Sequence, residues 1–425
     1  MALIVRIVNV SIRGLVLISR FVFLFALVKF LDPAEIGLYG LLVAAIGYSI
    51  YFVGLDFYNY VNRKVSGGDR ALWGWYIKSQ AFLACLLYFS VFPLLLSIFF
   101  LGWLPWTLAK WFFVILIFEY LCLELVRFFI AASEQLSASI VLFLNQAFWA
   151  VVAVLFMVVD DVYKSLDCVF FFWCAGSISA LIYSFFKLKS MRLGGWNNTV
   201  DFQWVWAGIK IAVPMLVATL AFRGVFTFDR YLISELSGLE IVAAYVLFIG
   251  VAGTLLAFLD AAVFSFSYPA LIGAYKSRDV SLFKRNMRIM LFSTIICVVI
   301  FVFASLLVFP YLLKWIGKEA YLDNYFIFYW VLFAVVINSL WLVFHYALYA
   351  QQLDSQIVYS RVVALVAFLF SAFVFYFPFP DESVLIGLCV SQVVILIWKL
   401  YAYYCLTPVD FLGFDISKLK LQGLK

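Results

Sequence analysis

The chain has 425 residues, 67% of them hydrophobic and only 12% charged, with a formal net charge of +6 and a mean hydropathy of +1.11. A soluble domain is nearer half apolar and a quarter charged, so this composition excludes one and points to a polytopic membrane protein. The apolar runs exceed the roughly 17–25 residues of a spanning helix and lack barrel-like alternation, so the expected class is all-α.

About a dozen spanning helices are predicted. The first half gives 11–31, 36–62, 75–101, 108–131, 139–159 and 167–187. The second gives 204–236, 240–272, 284–312, 323–351, 356–377 and 383–405. Arg6, Arg13 and Arg20 are spread through the first apolar run instead of leading it, so it is expected to stay in the mature chain. Loop charge alternates. Arg63, Lys64 and Arg70, then Lys187, Lys189 and Arg192, then Lys276, Arg278, Lys284 and Arg285 mark one side, joined by Arg6, Lys418, Lys420 and Lys425. The other side is acidic or nearly neutral, with Asp32, Glu35, Asp160, Asp161, Lys164, Glu235, Glu240, Asp381 and Glu382, and with Lys314 and Lys318 against the trend. Basic loops stay in the cytoplasm, which places both termini there.

The seven cysteines are scattered through apolar segments with no C-x-x-C pair, so neither a disulfide frame nor a metal site is expected. No phosphate-binding G-x-x-x-x-G-K-[ST] loop is present, so the chain has no means to hydrolyse ATP alone. The longest polar break, about Lys187 to Asp201, is too short for a folded domain, and nothing calls for a nucleic acid.

The halves echo each other. Val91-Phe92-Pro93 recurs as Val308-Phe309-Pro310, a shift of 217, and at that shift Gln135-Leu136 meets Gln352-Leu353 and Ile140-Val141 meets Ile357-Val358. Near the start of each half, Arg20, Glu35-Ile36, Tyr39 and Asp56 resemble Arg223, Glu240-Ile241, Tyr245 and Asp260 at a smaller, uneven shift. The expected organisation is two pseudo-symmetric six-helix bundles, 1–195 and 196–425, around a central cavity.

Ionised groups inside such helices cost roughly 2.5–3.5 kcal/mol each, so each calls for a reason. Phe222–Arg230 concentrates Arg223, Asp229 and Arg230. Residues seven apart fall about 20° from each other on a helix, so Arg223 and Arg230 share a face, as do Arg13 and Arg20. Lysines are expected near the helix ends. Arginine keeps its charge and its fork matches phosphate oxygens, which makes Arg20, Arg223 and Arg230 candidates for an anionic head group. The bland reading pairs them with acids as structural glue. Asp56, Glu119, Asp229 and Asp260 are either counter-ions or carriers of a coupling ion. Glu124 and Arg127, three apart, neutralise each other. Asn338, His345 and Gln352 form a polar stripe, in which His345 is a titration candidate and more often a bundle hydrogen bond. Tyr51 and Tyr58, in a cluster with Tyr48, Tyr60 and Asn59, and Asn338 are sugar-contact candidates, although interfacial tyrosine belts are common. Pro214 marks a kink in helix 204–236.

Ile18-Ser19-Arg20-Phe21 and Leu31-Asp32-Pro33-Ala34-Glu35-Ile36-Gly37-Leu38-Tyr39 resemble the opening of the bacterial polysaccharide transporters. These are the O-antigen and capsule-unit flippases of the multidrug/oligosaccharidyl-lipid/polysaccharide exporter (MOP) superfamily. Gly54-Leu55-Asp56-Phe57-Tyr58-Asn59-Tyr60 and Asp229-Arg230-Tyr231-Leu232-Ile233-Ser234 are similar to stretches at the same places. The resemblance implies a cationic cavity and flipping of an undecaprenyl-diphosphate-linked oligosaccharide from the cytoplasmic to the periplasmic leaflet of a bacterial inner membrane. It also implies no cofactor beyond a proton or sodium gradient, and association with a polysaccharide polymerase. Arg20, Asp56, Asp229 and Arg230 lie on the matched stretches; Arg223 and Asp260 rest on the residue reading. Two alternatives stand beside it: a cation-coupled multidrug exporter of the same superfamily, and a membrane polymerase or ligase acting on lipid-linked sugars. The short outside loops speak against the enzyme.

Overall fold

The computed structural model describes residues 2–66 and 68–412; Lys418, Lys420 and Lys425 lie outside the described residues. Packing divides the chain into two compact units, Met1–Leu247 and Phe248–Lys425, with the boundary inside one helix. This is a division by contact, and the duplication expected over 1–195 and 196–425 is a separate matter.

The first unit begins with α1 (Ala2–Phe30) and α2 (Pro33–Gly54). Asp32 and Glu35 close a capping box around Pro33, which sits where a helix tolerates the missing N–H. Helix 36–62 was expected to be continuous, and it is not. Leu55 and Asp56 turn left-handed, at φ 49° and 52°, before the short α3 (Tyr58–Val65). Leu55 caps α2 by donating its N–H to Tyr51 O. Gly54 meanwhile lies against Tyr120, where an added Cβ would come within 2.9 Å of the ring.

Then follow α4 (Trp73–Phe100), α5 (Ala109–Ala131) and α6 (Gln135–Phe143). A π-helical turn, Leu144–Phe148, joins α6 to α7 (Trp149–Val159), and α8 (Leu166–Ser190) follows. α9 (Phe202–Ser237) starts where Asp201 accepts the backbone N–H groups of Gln203 and Trp204, and it runs on through Pro214. α2 packs against α4, α5 and α9, while α5 packs against α6 and α8 and α1 against α6 and α7. Close approach to α2 depends on Gly37, because a Cβ there would lie 2.3 Å from Leu239 O.

The second unit takes the rest of α10 (Leu239–Leu259), a second π-helical turn at Asp260–Phe264 and α11 (Ser265–Lys276). It continues with α12 (Val280–Ile316), the short α13 (Glu319–Asp323), α14 (Phe326–Ala350), α15 (Asp354–Tyr376) and α16 (Ser383–Leu406). α14, α15 and α16 pack on one another. Phe248, Phe309 and Phe328 form the aromatic centre between α10, α12 and α14.

Among the described residues, eleven helical segments are long and apolar enough to cross a membrane. α5 is also of spanning length, but it carries Glu119, Glu124 and Arg127. The chain is an all-helical, multi-pass membrane protein. The 217-residue shift recurs at helix boundaries: Ala109 and Phe326 open α5 and α14, Val159 and Tyr376 close α7 and α15, and Leu166 and Ser383 open α8 and α16, each pair 217 positions apart. The aspartates matched between the halves also share a feature. Asp56 lies in the break after α2, and Asp260 opens the π turn after α10.

Candidate transport site

The polar groups of the first unit gather in two places. The first is centred on Tyr39 of α2, which feels the charges of Arg20 on α1, Glu119 on α5 and Arg230 on α9. Glu119 accepts from the Trp173 indole and, at 3.3 Å, from Asn145 Nδ2. Asn145 Oδ1 in turn accepts from Ser177 Oγ at 2.7 Å, so the carboxylate is held by a chain of neutral donors. Trp149 and Trp173 stack with centroids 5.7 Å apart and planes 5° from parallel. The π turn brings Asn145 and its neighbour Gln146 into this group, and Gln146 Oε1 accepts from Arg20 Nη1 at 3.5 Å. Such turns concentrate at functional sites because the extra residue re-aims side chains.

On α9, both arginines of the Phe222–Arg230 segment meet α2. Arg230 Nη1 donates to Gly40 O at 3.0 Å, and the Arg223 guanidinium lies 5.7 Å from the Tyr51 ring centroid. Arg223 and Arg20 are exposed, and neither forms an ion pair among the described residues. Asp229 points elsewhere. It is wholly buried and accepts from the Tyr245 hydroxyl on α10 and from the Arg230 backbone N–H. That arrangement makes Asp229 a brace between two helices. Arg13 Nε reaches Ser139 Oγ at 3.4 Å.

The second group surrounds the break after α2. Asp56 is 3% exposed, and its Oδ1 has no hydrogen-bond partner. Glu124 is ion-paired with Arg127 at 2.6 Å, as their spacing predicts, and also accepts from Gln80. The Arg127 guanidinium covers the Tyr58 ring at 3.6 Å, so that face of Tyr58 is already taken.

In the second unit Asp260 is exposed and accepts from the Tyr346 hydroxyl at 3.4 Å. Tyr346 stacks on Tyr268. Asn338 is buried on α14, and the His345 ring meets Trp341 edge-on at 6.1 Å. Lysines were expected near helix ends. Lys399 contradicts this: it is wholly buried inside α16, its Nζ 3.6 Å from the Trp341 ring centroid. Its signal in the sequence is the single ionised side chain between Glu382 and Asp410. Also missed were Asn145, Gln146, Trp149 and Trp173, which carry no charge and become conspicuous only once α5, α6 and α8 are packed. No cluster of three or more metal-ligating side chains occurs among the described residues.

No family model matches the sequence, and no curated protein does either. Solved structures do. An inward-facing multidrug resistance MATE family transporter of the MOP superfamily aligns over 98% of this chain and 99% of its own, with a TM-score of 0.69 at 12% identity. The chain has the fold of the MATE transporters. An outward-facing MATE structure aligns over 94% of both chains with a TM-score of 0.59 at 13% identity. A MOP-superfamily transporter from Pyrococcus furiosus, described by the reverse polarity of its binding pocket, aligns over 95% of this chain and 94% of its own, with a TM-score of 0.58 at 12% identity. At these identities the MATE likeness is one of architecture.

Proposed function

We propose that the chain is an alternating-access exporter of the MOP superfamily, driven by an ion gradient, and that it moves a substrate carrying an anionic group. The observation that carries this reading is Arg223: a guanidinium on a spanning helix, exposed, without an ion pair among the described residues and beside the Tyr51 ring. A permanent cation left without a carboxylate is suited to a ligand oxygen. Arg20 supplies a second such group on α1, with Glu119 close enough to respond to its charge. Glu119, rather than the braced Asp229, is the better candidate for the coupling acid.

The substrate we favour on these grounds is an undecaprenyl-diphosphate-linked oligosaccharide in a bacterial inner membrane, its lipid tail remaining in the bilayer. The second reading, a multidrug exporter, is favoured by the named MATE neighbours, which fit it better than they fit lipid-linked sugar flipping. Fold alone does not choose the substrate. Within this fold, the reverse pocket polarity described for the Pyrococcus furiosus protein supports treating substrate charge as variable. Deleting the gene and following surface polysaccharide separates the two readings. Lipid-linked units accumulating on the cytoplasmic leaflet support the flippase. Unchanged polymer with raised drug sensitivity supports the exporter.

A further inference from the structure

The second unit carries an exposed carboxylate with an aromatic surface beside it, and the function proposed above uses neither. Asp260 opens the π turn about midway along the 38-residue span Leu239–Lys276. It is exposed and forms no ion pair among the described residues. A carboxylate facing lipid at that depth is costly, so its exposed side belongs to a water-filled path.

One Asp260 oxygen accepts from the Tyr346 hydroxyl at 3.4 Å. The Tyr346 ring stacks on Tyr268, with centroids 5.4 Å apart and planes 17° from parallel, and Phe264 packs on it at 4.9 Å. Tyr268 is half-buried, and its other face meets no ring among the described residues. The stack therefore offers a flat aromatic face with a carboxylate at its rim.

A pyranose ring is matched by that pair. Its C–H face packs on an aromatic ring, and its edge hydroxyls donate to an acceptor. A phenol hydroxyl already donates to Asp260, and sugar hydroxyls make the same charge-assisted bond. An anionic group is repelled by the carboxylate. An organic cation is held over a ring face, whereas Asp260 meets Tyr346 at its hydroxyl edge. Two side chains that the sequence marks for sugar contact are less able, since Arg127 covers the Tyr58 ring and Asn338 is 5% exposed.

The geometry points to a subsite for an uncharged sugar residue of the substrate, with Tyr268 as its platform and Asp260 accepting its hydroxyls. This subsite presupposes the lipid-linked oligosaccharide proposed above. It takes the sugar, while the arginines take the anionic group.

The test is binding of two ligands to the purified protein in nanodiscs: undecaprenyl diphosphate, and the lipid-linked repeat unit extracted from cells lacking the gene. The wild type is expected to hold the repeat unit at least about tenfold more tightly. In Tyr268→Ala and in Asp260→Asn the ratio of the two Kd values is expected to fall to about one, through weaker binding of the repeat unit. Tyr268→Trp, which keeps a flat ring, is expected to keep the preference. Loss of both ligands in Tyr268→Ala marks a folding defect, and Asp260→Asn then decides. Equal Kd values in the wild type, or a preference that survives Asp260→Asn, overturns the subsite and leaves the flippase reading standing. Binding of neither ligand by the wild type overturns both. Tetraphenylphosphonium binding that is lost in Asp260→Asn puts a cation on the platform and also overturns the subsite.

Discussion

The Trp173 indole N–H donates to the Glu119 carboxylate, while its ring lies parallel to Trp149. The stack fixes the donor, and the Trp149 indole is itself fixed by the Asn145 carbonyl at 2.7 Å. Trp173→Phe keeps a stacked ring and removes the donor. Gradient-driven transport is expected to fall about tenfold, equivalent to ~1.4 kcal/mol, with little change in protein level. Glu119→Gln is expected to abolish gradient-driven transport yet preserve substrate exchange at equilibrium. Transport assays with and without an imposed gradient check both variants.

Asp229 and Tyr245 supply a stability test. Tyr245→Phe leaves a wholly buried carboxylate with only the Arg230 N–H. The expected loss is about 1–3 kcal/mol, the range for an unsatisfied buried polar group. Asp229→Asn in the Tyr245→Phe background is expected to cost less than the sum of the two single changes, because they share one contact. Thermal unfolding of all four proteins closes the cycle.

Gly37 tests the close approach of α2 to Leu239. A Cβ meeting a backbone oxygen at 2.3 Å forces the helices apart. Gly37→Ala is expected to destabilise by about 1–3 kcal/mol, as overpacking does. Gly47, where a Cβ meets nothing within 4 Å, serves as the control and is expected to tolerate alanine.

Asp279 lies just ahead of α12, outside the spanning segment. The Leu282 backbone N–H and the Ser281 hydroxyl hold its carboxyl below the ordinary value of 3.8. A group lowered on folding stabilises above its ordinary value, and that stability is lost as pH falls through the folded value. The Tm of the wild type is therefore expected to fall more steeply below pH 3.8 than that of Asp279→Asn, which keeps the cap without the titration.

The helical class and, to within a few residues, most helix starts after α1 were legible because their causes are local. Asp32-Pro33-Ala34-Glu35, Asp201 and Asp279 each mark the beginning of a helix through contacts a few residues long. The break at Leu55–Asp56 was not legible, since leucine disfavours a left-handed backbone and aspartate adopts one only occasionally. Packing of Gly54 against Tyr120 accompanies it, and that contact spans 66 positions of sequence. Lys399 was hidden for a similar reason. A lysine late in an apolar run reads as an end marker until the faces of α14 and α15 are known. Of the candidate site, the charged members were visible by their cost, whereas Asn145, Gln146 and Trp173 acquire meaning only through Arg20 and Glu119.

The most direct test of an anionic substrate is export by Arg223→Ala, measured as translocation of lipid-linked repeat units in cells lacking the wild-type gene, with membrane insertion verified. Loss of export at normal protein level, with partial rescue by Arg223→Lys because a point charge replaces the fork, is the expected result. Full export by Arg223→Ala would contradict it and reduce Arg223 to a structural contact with Tyr51.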